Sequence, residues 1–323
     1  MPTEHTTIER VPIRDGYGKG LVRAGEQDER IVVLCADLTE STRSHWFAEK
    51  FPRRFIEVGV AEQNLAVIAS GMAATGKIPF ISSYATFSPG RNNEQIRTNI
   101  CLNNVPVKIA GAHAGISVGP DGATHQALED IALMRVMPRM VVVVPCDAIE
   151  AEKATVALAF NDKPSYIRLG REKTPVITTP ESPFEVGKAV IMRQGGDVAI
   201  VACGTLVYEA LVAADALERD GVHCTVINNH TIKPMDEEAI IAAAHQCGAI
   251  VTAEEHQVAG GMGSAVAEVL ARRVPVPMEF VGMQDRFGES GSPDELMKAF
   301  GLTSDGIIDA VRRALKRKSG STN

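Results

Sequence analysis

The sequence predicts an α/β protein of two domains, each built on a mainly parallel sheet flanked by helices. Three observations lead there. Short apolar runs alternate with helix-spaced stretches through both halves of the chain. The alternation lapses once, in the proline-containing run EKTPVITTPESPFEVGKAVIMRQGGD at 172–197, which marks a domain boundary. The chain's 323 residues also exceed the usual size of one domain, so two units, over 8–175 and 190–318, are expected.

After a polar start, residues 12–26 read as a helix, and IVVLCA at 31–36 reads as a buried strand. ADLTEST, 36–42, leaves it as a polar loop. RFIEVGVAEQNLAVIASGMAATG, 54–76, begins as a strand over 55–58, breaks at Gly59, and takes helical spacing through Leu65, Ile68, Ala69 and Met72. A strand at 78–82, a helix at 94–101 and a strand at 105–110 follow. The last runs into a glycine-rich loop, GAHAGISVGPDGATHQ, 111–126. Residues 127–134 look helical, 140–144 form a buried strand, 148–159 a helix, and 165–169 a closing strand. Past the boundary, where GKAVIMR has strand character, strands at 198–203, 223–227, 249–253 and about 278–282 alternate with helices at 206–219, 236–246, from about Gly263, at 293–300 and at 304–317. The basic tail KRKSGSTN reads as a solvated, frayed end.

Composition narrows the function classes. A hydrophobic content of 45% is ample for buried cores, and a net charge of −7 gives no basic surface for nucleic acid or anionic membranes. The first residues, MPTEHTTIER, have no apolar signal segment, and no run approaches the ~20 apolar residues of a membrane span. Cys35, Cys101, Cys146, Cys203, Cys224 and Cys247 lie far apart, with no C-x-x-C and no His at ligand spacing. Neither a metal site nor a disulfide framework is expected, and a cytoplasmic location follows.

Glu62 falls in the first turn of a helix, where free backbone N–H groups and the helix dipole favour a carboxylate. By itself that is an end-of-helix charge; a strand-to-helix turn is also where α/β folds place reactive groups. His113, Asp121 and His125 share one loop whose glycines let side chains approach a ligand, although loop polar groups commonly bond their own turns. Asp37 and Ser41 have the types and places of ordinary capping residues. Tyr84 and Phe87, just after a strand, suit core packing as well as a ring-stacking site. Arg171, in YIRLGRE, and Arg14, in PIRDGYGK, have the paired donors that fit a phosphate.

Taken together, these segments resemble thiamine diphosphate enzymes of the transketolase family. The resemblance runs from about Arg10 to Leu315 and covers that family's pyrimidine-binding (central) domain and its C-terminal domain. It implies that Glu62 matches the carboxylate that hydrogen-bonds a ring nitrogen of the cofactor's aminopyrimidine and so promotes deprotonation of the thiazolium carbon. Phe87 matches the aromatic that stacks on the pyrimidine, with Tyr84 as its companion, and Asp37 matches a residue lying against the cofactor at the subunit interface. The order H-x7-D-G-x2-H-Q resembles a transketolase signature in which Asp121 and His125 contact sugar hydroxyls and His113 lies on the sugar and phosphate path. Ser41, in ADLTES, with Arg171 and Arg14, matches phosphate ligands. The segment SPGRNN, 88–93, departs from the family in being short and without extra aromatics. AGGMGSAVAE, 259–268, HTIKPMDEEAI, 230–240, and DRFGESG, 285–291, resemble parts of the small C-terminal domain.

No G-D-G motif occurs; the nearest sequences are GPDG at 119–122 and Gly196-Asp197 followed by Val198. In the family that motif holds the metal and the diphosphate. The resemblance therefore implies the C-terminal subunit of a split transketolase, moving a two-carbon ketol unit between sugar phosphates. An N-terminal partner subunit would hold magnesium or calcium and the diphosphate of thiamine diphosphate, in a heterotetramer of two copies each. Alternatives are a subunit of a deoxyxylulose-phosphate-synthase-like or 2-oxo acid dehydrogenase beta-like enzyme, or a non-catalytic regulatory paralogue.

Overall fold

The computed structural model describes residues 8–320. β1 (Arg10–Pro12) leads into α1 (Ile13–Gln27), then β2 (Ile31–Cys35), α2 (His45–Lys50), β3 (Phe55–Glu57), α3 (Glu62–Ala74) and β4 (Ile78–Tyr84). A single turn, α4 (Asn93–Gln95), continues as a π-helical stretch, Ile96–Leu102. There follow β5 (Lys108–Ala112), a 3-10 stretch at Ile116–Asp121, α5 (Asp130–Arg135), β6 (Val141–Val143), α6 (Ala148–Ala159), β7 (Ser165–Arg168) and β8 (Lys173–Pro175). The second half contains β9 (Val190–Arg193), β10 (Val198–Ala202), α7 (Leu206–Arg219), β11 (Cys224–Asn228), β12 (Thr231–Lys233) and α8 (Glu237–Cys247). It ends with β13 (Ile250–Gln257), α9 (Met262–Arg273), β14 (Met278–Met283), α10 (Pro293–Ala299) and α11 (Ser304–Lys318).

These strands form two large sheets, ordered β12-β6-β7-β5-β4-β2-β3 and β14-β13-β10-β11-β9, with a small ribbon of β1 and β8. Pairing is parallel except for β12 on β6, β9 on β11 and the β1–β8 ribbon. Helices cover both faces of such sheets, so central strands such as IVVLC in β2 are buried at every residue. β12 is the departure from the expected picture. It lies in HTIKPMDEEAI, where no strand is expected, and it joins the edge of the first sheet, Thr231 opposite Val143. Asp236 does cap α8, accepting from the Ala239 amide at 3.2 Å. One apolar cluster runs from Leu34 and Ile81 through Val144 and Ile232 to Val201 and Val266, so the two halves share a core.

Other differences have local causes. The expected helix at 127–134 begins only at Asp130, because Ala127 bridges to Ala114 in extended form. The strand expected from 105 begins at Lys108; Pro106 has no N–H to give a ladder. The basic tail is exposed, as expected, but it is not frayed where it is described, since α11 continues to Lys318. Arg317 pairs with Glu279 at 2.9 Å, and Lys318 donates to the carbonyls of Asp197 and Cys247 at 2.9 and 2.8 Å. Residues 321–323 of that tail lie outside the described residues.

Candidate active site

Glu62 is the first residue of α3, after a break at Gly59, whose φ of +71° suits glycine. The side chain is not the solvated helix-end charge that its position alone suggests: it is 2% exposed. Its Oε2 accepts from Arg91 at 2.8 Å, and Asn92 donates to its backbone carbonyl at 3.0 Å. Glu57, at the end of β3, sets the loops on either side. Its carboxylate accepts from the amide of Asp37 at 2.7 Å, the hydroxyl of Thr39 at 2.7 Å and the amide of Gly59 at 2.9 Å. Sequence reasoning passed over Glu57 and Arg91, because an acid at a strand end and an Arg in SPGRNN carry no periodic signal.

Arg91 also lies over the ring of Phe87, 4.8 Å from its centroid. The sequence-predicted aromatics continue from there. Tyr84 stacks on Phe87 at 6.2 Å and on His113 at 3.9 Å, while His125 meets Phe87 edge-on at 5.4 Å. His125 is fixed from the other side by Thr124, with Nδ1 2.9 Å from its hydroxyl.

His113 turns the row toward cationic groups. Arg14 Nη1 donates to His113 Nε2 at 3.0 Å and to the carbonyl of Ser41 at 2.9 Å. A guanidinium only donates, so Nε2 must accept and the ring proton sits on Nδ1. Burial, with the charges of Arg14, Arg171 and Arg43 behind it, pushes the His113 pKa down to about 3. The imidazole is therefore neutral near pH 7. Its Nδ1 is buried without a protein partner among the described residues, and so is Nε of Arg14. Unpaired buried donors are costly unless something accepts from them.

α1 brings Arg14 here by lying very close to α6: a Cβ at Gly16 would stand 1.9 Å from the carbonyl oxygen of Ala148. Arg43 is a further residue missed in the sequence. Its Nε pairs with Asp15 at 2.6 Å, beside Arg14 on α1, and its backbone is left-handed, at φ +65°. Asp37 and His113 are left-handed too, at +59° and +54°. Three such residues around one cluster fit a site held in place by its surroundings. Arg171 also reaches the loop, donating to the carbonyl of Val118 at 2.6 Å and lying 3.7 Å from Glu172. Asp121, at the end of the 3-10 stretch, and Asp37 have exposed carboxylates with no protein partner among the described residues.

Thus Glu62, Phe87, Tyr84, His125, His113, Arg14 and Ser41 form one connected row, with Arg91 as its unforeseen link. Asp37 and Arg171 make no hydrogen bond or ion pair to the row among the described residues: Asp37 is held by Glu57 and Arg171 by the loop carbonyl of Val118, while the charge of Arg171 acts on His113 and Arg14. AGGMGSAVAE plays no part in it: buried Glu254 accepts from the amides of Met262 and Gly263, both at 2.7 Å, and ties down the start of α9. The six cysteines are free and buried. No helix among the described residues is long and apolar enough to cross a membrane.

Comparisons with known proteins identify both halves of the chain. Residues 9–176 match the model of the transketolase pyrimidine binding domain, and residues 187–307 that of the transketolase C-terminal domain. A 6-deoxy-6-sulfo-D-fructose transketolase subunit of Clostridium sp. (strain MSTE9) is 41% identical over 307 residues, 95% of each chain. A putative transketolase C-terminal section of Methanocaldococcus jannaschii is 42% identical over 309 residues, 95% of this chain and 97% of that one. Among solved structures, a split gene transketolase described as an inactive beta4 tetramer superposes with a TM-score of 0.90 at 46% identity, covering 95% of this chain and 99% of that one. On the strength of these matches, the chain belongs to the transketolase family and carries its pyrimidine-binding and C-terminal domains.

Proposed function

We propose that this chain is the C-terminal subunit of a split transketolase that depends on thiamine diphosphate and moves a two-carbon ketol unit from an anionic ketose to an aldose. The observation that carries the reading is the connected row from Glu62 to Ser41. It has a buried carboxylate and an aromatic face at one end, and unpaired cationic and imidazole donors at the other. The first end suits an aminopyrimidine ring: Phe87 offers a face and Glu62 a carboxylate for a ring nitrogen. When bound, the cofactor supplies the electron sink that two-carbon transfer needs.

The chain's own groups do the rest. Glu62 holds a proton at the ring nitrogen through a charge-assisted hydrogen bond. His113, neutral, offers its Nδ1 proton to a sugar oxygen, and His125 and Asp121 address hydroxyls nearer the cofactor. Arg14, Arg171 and Ser41 take the anionic end. The guanidinium of Arg43 adds positive charge behind them, so phosphorylated or sulfonated sugars fit better than neutral ones. Among the described residues no group of three or more His, Cys, Asp or Glu is arranged to hold a metal ion. The lack of a G-D-G motif in the sequence fits a partner subunit that supplies magnesium or calcium and binds the diphosphate.

The lone chain is accordingly expected to bind thiamine diphosphate weakly and to show no turnover. Titration calorimetry with cofactor and magnesium checks this, and tight binding by the chain alone would sink the split-enzyme reading. With the partner, a heterotetramer of two copies each is expected by light scattering. Arg171→Ala should raise KM for a phosphosugar roughly tenfold more than for its unphosphorylated analogue, as fits loss of one hydrogen bond to a charged group. An equal rise for both substrates would make Arg171 structural.

A further inference from the structure

The loop that carries His113, Asp121 and His125 belongs to the first domain, yet the second domain holds it from behind. Glu255, in β13, is 4% exposed. Its Oε1 accepts from the amide of Ser117, in the middle of the loop, at 2.7 Å, and its Oε2 accepts from the hydroxyl of Thr205, at the start of α7, at 3.1 Å. The loop comes so close that a Cβ at Gly115, where φ is +95°, would stand 2.3 Å from Oε1. Only glycine meets both demands.

The loop's far end is held as well. The Gln126 amide donates to the carbonyl of Glu289 at 3.0 Å and to the loop's own Ile116 and Gly119 carbonyls at 3.2 and 3.3 Å. Arg168, ion-paired with Asp130 at 2.8 Å, donates to the backbone carbonyl of Glu255 at 2.8 Å and fixes the strand from which Glu255 projects. Among the described residues no hydrogen bond or ion pair joins Glu255 to the Glu62-to-Ser41 row, so its hold on the row passes through the loop backbone. Val118, next to Ser117, is the residue whose carbonyl receives Arg171.

We infer that Glu255 is a positioning residue by which the C-terminal domain sets the sugar-binding loop, so that sugar recognition by the first domain depends on docking of the second. The inference rests on the proposed assignment of the loop to sugar. A buried carboxylate suits the task because its hydrogen bonds are charge-assisted and leave the loop amide no better partner.

Hydrogen exchange of the loop amides in the purified full chain tests the brace without any substrate or cofactor. Glu255→Ala is expected to speed exchange over 115–126 at least tenfold while the amides of β10 stay protected. Glu255→Gln, which keeps a carbonyl for Ser117 and an amide that can donate to the Thr205 hydroxyl, should restore most of that protection. Should Glu255→Ala fail to fold, Thr205→Val removes one hydrogen bond from the clamp and should loosen the loop to a smaller degree. Unchanged loop exchange in a folded Glu255→Ala, or in Thr205→Val where only that variant folds, overturns the brace. In the two-subunit enzyme Glu255→Ala should raise sugar KM about tenfold, Thr205→Val less and Glu255→Gln little, with cofactor Kd unmoved. A loosened loop with unaltered KM would uphold the brace and overturn the assignment of the loop to sugar.

Discussion

Glu62→Gln is expected to lower turnover of the reconstituted two-subunit enzyme by roughly 10²- to 10⁴-fold, the range of a proton-transfer group in a transition state. The amide can still meet a ring nitrogen, but it has no charge with which to favour the protonated ring. Folding should survive. Arg91, the partner of Glu62, is half exposed, so water can replace the lost ion pair. Exchange of the thiazolium carbon's proton for deuterium follows the step directly, and thermal melting of the variant reports folding. A mutant with wild-type exchange would leave Glu62 as nothing more than a charge at the start of α3.

Arg14→Ala should have the next largest effect. Arg14 donates to His113 and to the Ser41 carbonyl, and burial together with the charge of Arg43 lowers its pKa. Such a desolvated guanidinium gains from an anion. Losing it should raise KM for a phosphosugar by a factor on the order of 10 to 150, the span of 1.5–3 kcal/mol for a charged hydrogen bond. The unphosphorylated analogue should lose only the few-fold that comes from freeing His113. Lysine should rescue in part, since it restores charge without the paired donors. Steady-state kinetics on the two sugars decides the matter. An equal penalty on both would mean that Arg14 only holds the loop and that the anion sits elsewhere.

The His113 pKa of about 3 adds a statement about pH. Its folded value lies below the ordinary one near 6.5, so the neutral ring is what the fold favours. Sugar binding through its Nδ1 proton should stay level between pH 5 and 8, and any slope there must come from other groups.

Much of this protein was legible before its structure. Alternating apolar runs stated the two parallel sheets, since a strand buried on both faces must be apolar at every residue, as IVVLC in β2 is. The glycine break before Glu62 placed that carboxylate in a first turn, and H-x7-D-G-x2-H-Q grouped the loop's polar residues within one short segment. These are properties of short stretches, and short stretches carry them in their periodicity and turn chemistry.

What tertiary structure decided is who meets whom. Arg91 reaches Glu62 across 29 positions, Arg14 reaches His113 across 99, and Glu255 reaches Ser117 across 138. No spacing rule spans such distances. β12 joins a sheet of the other domain for the same reason: three residues of suitable type, TIK, pair with whichever open edge the fold brings beside them. Even the weight given to single residues changed with burial. Arg14 has the donors for an anion in its sequence, but what it meets depends on α1 packing against α6 at Gly16. A Glu at the start of α3 reads as a helix-end charge until the segment 88–93 folds over it and takes it out of water, because the cost of a buried charge is set by its surroundings and not by its neighbours in sequence.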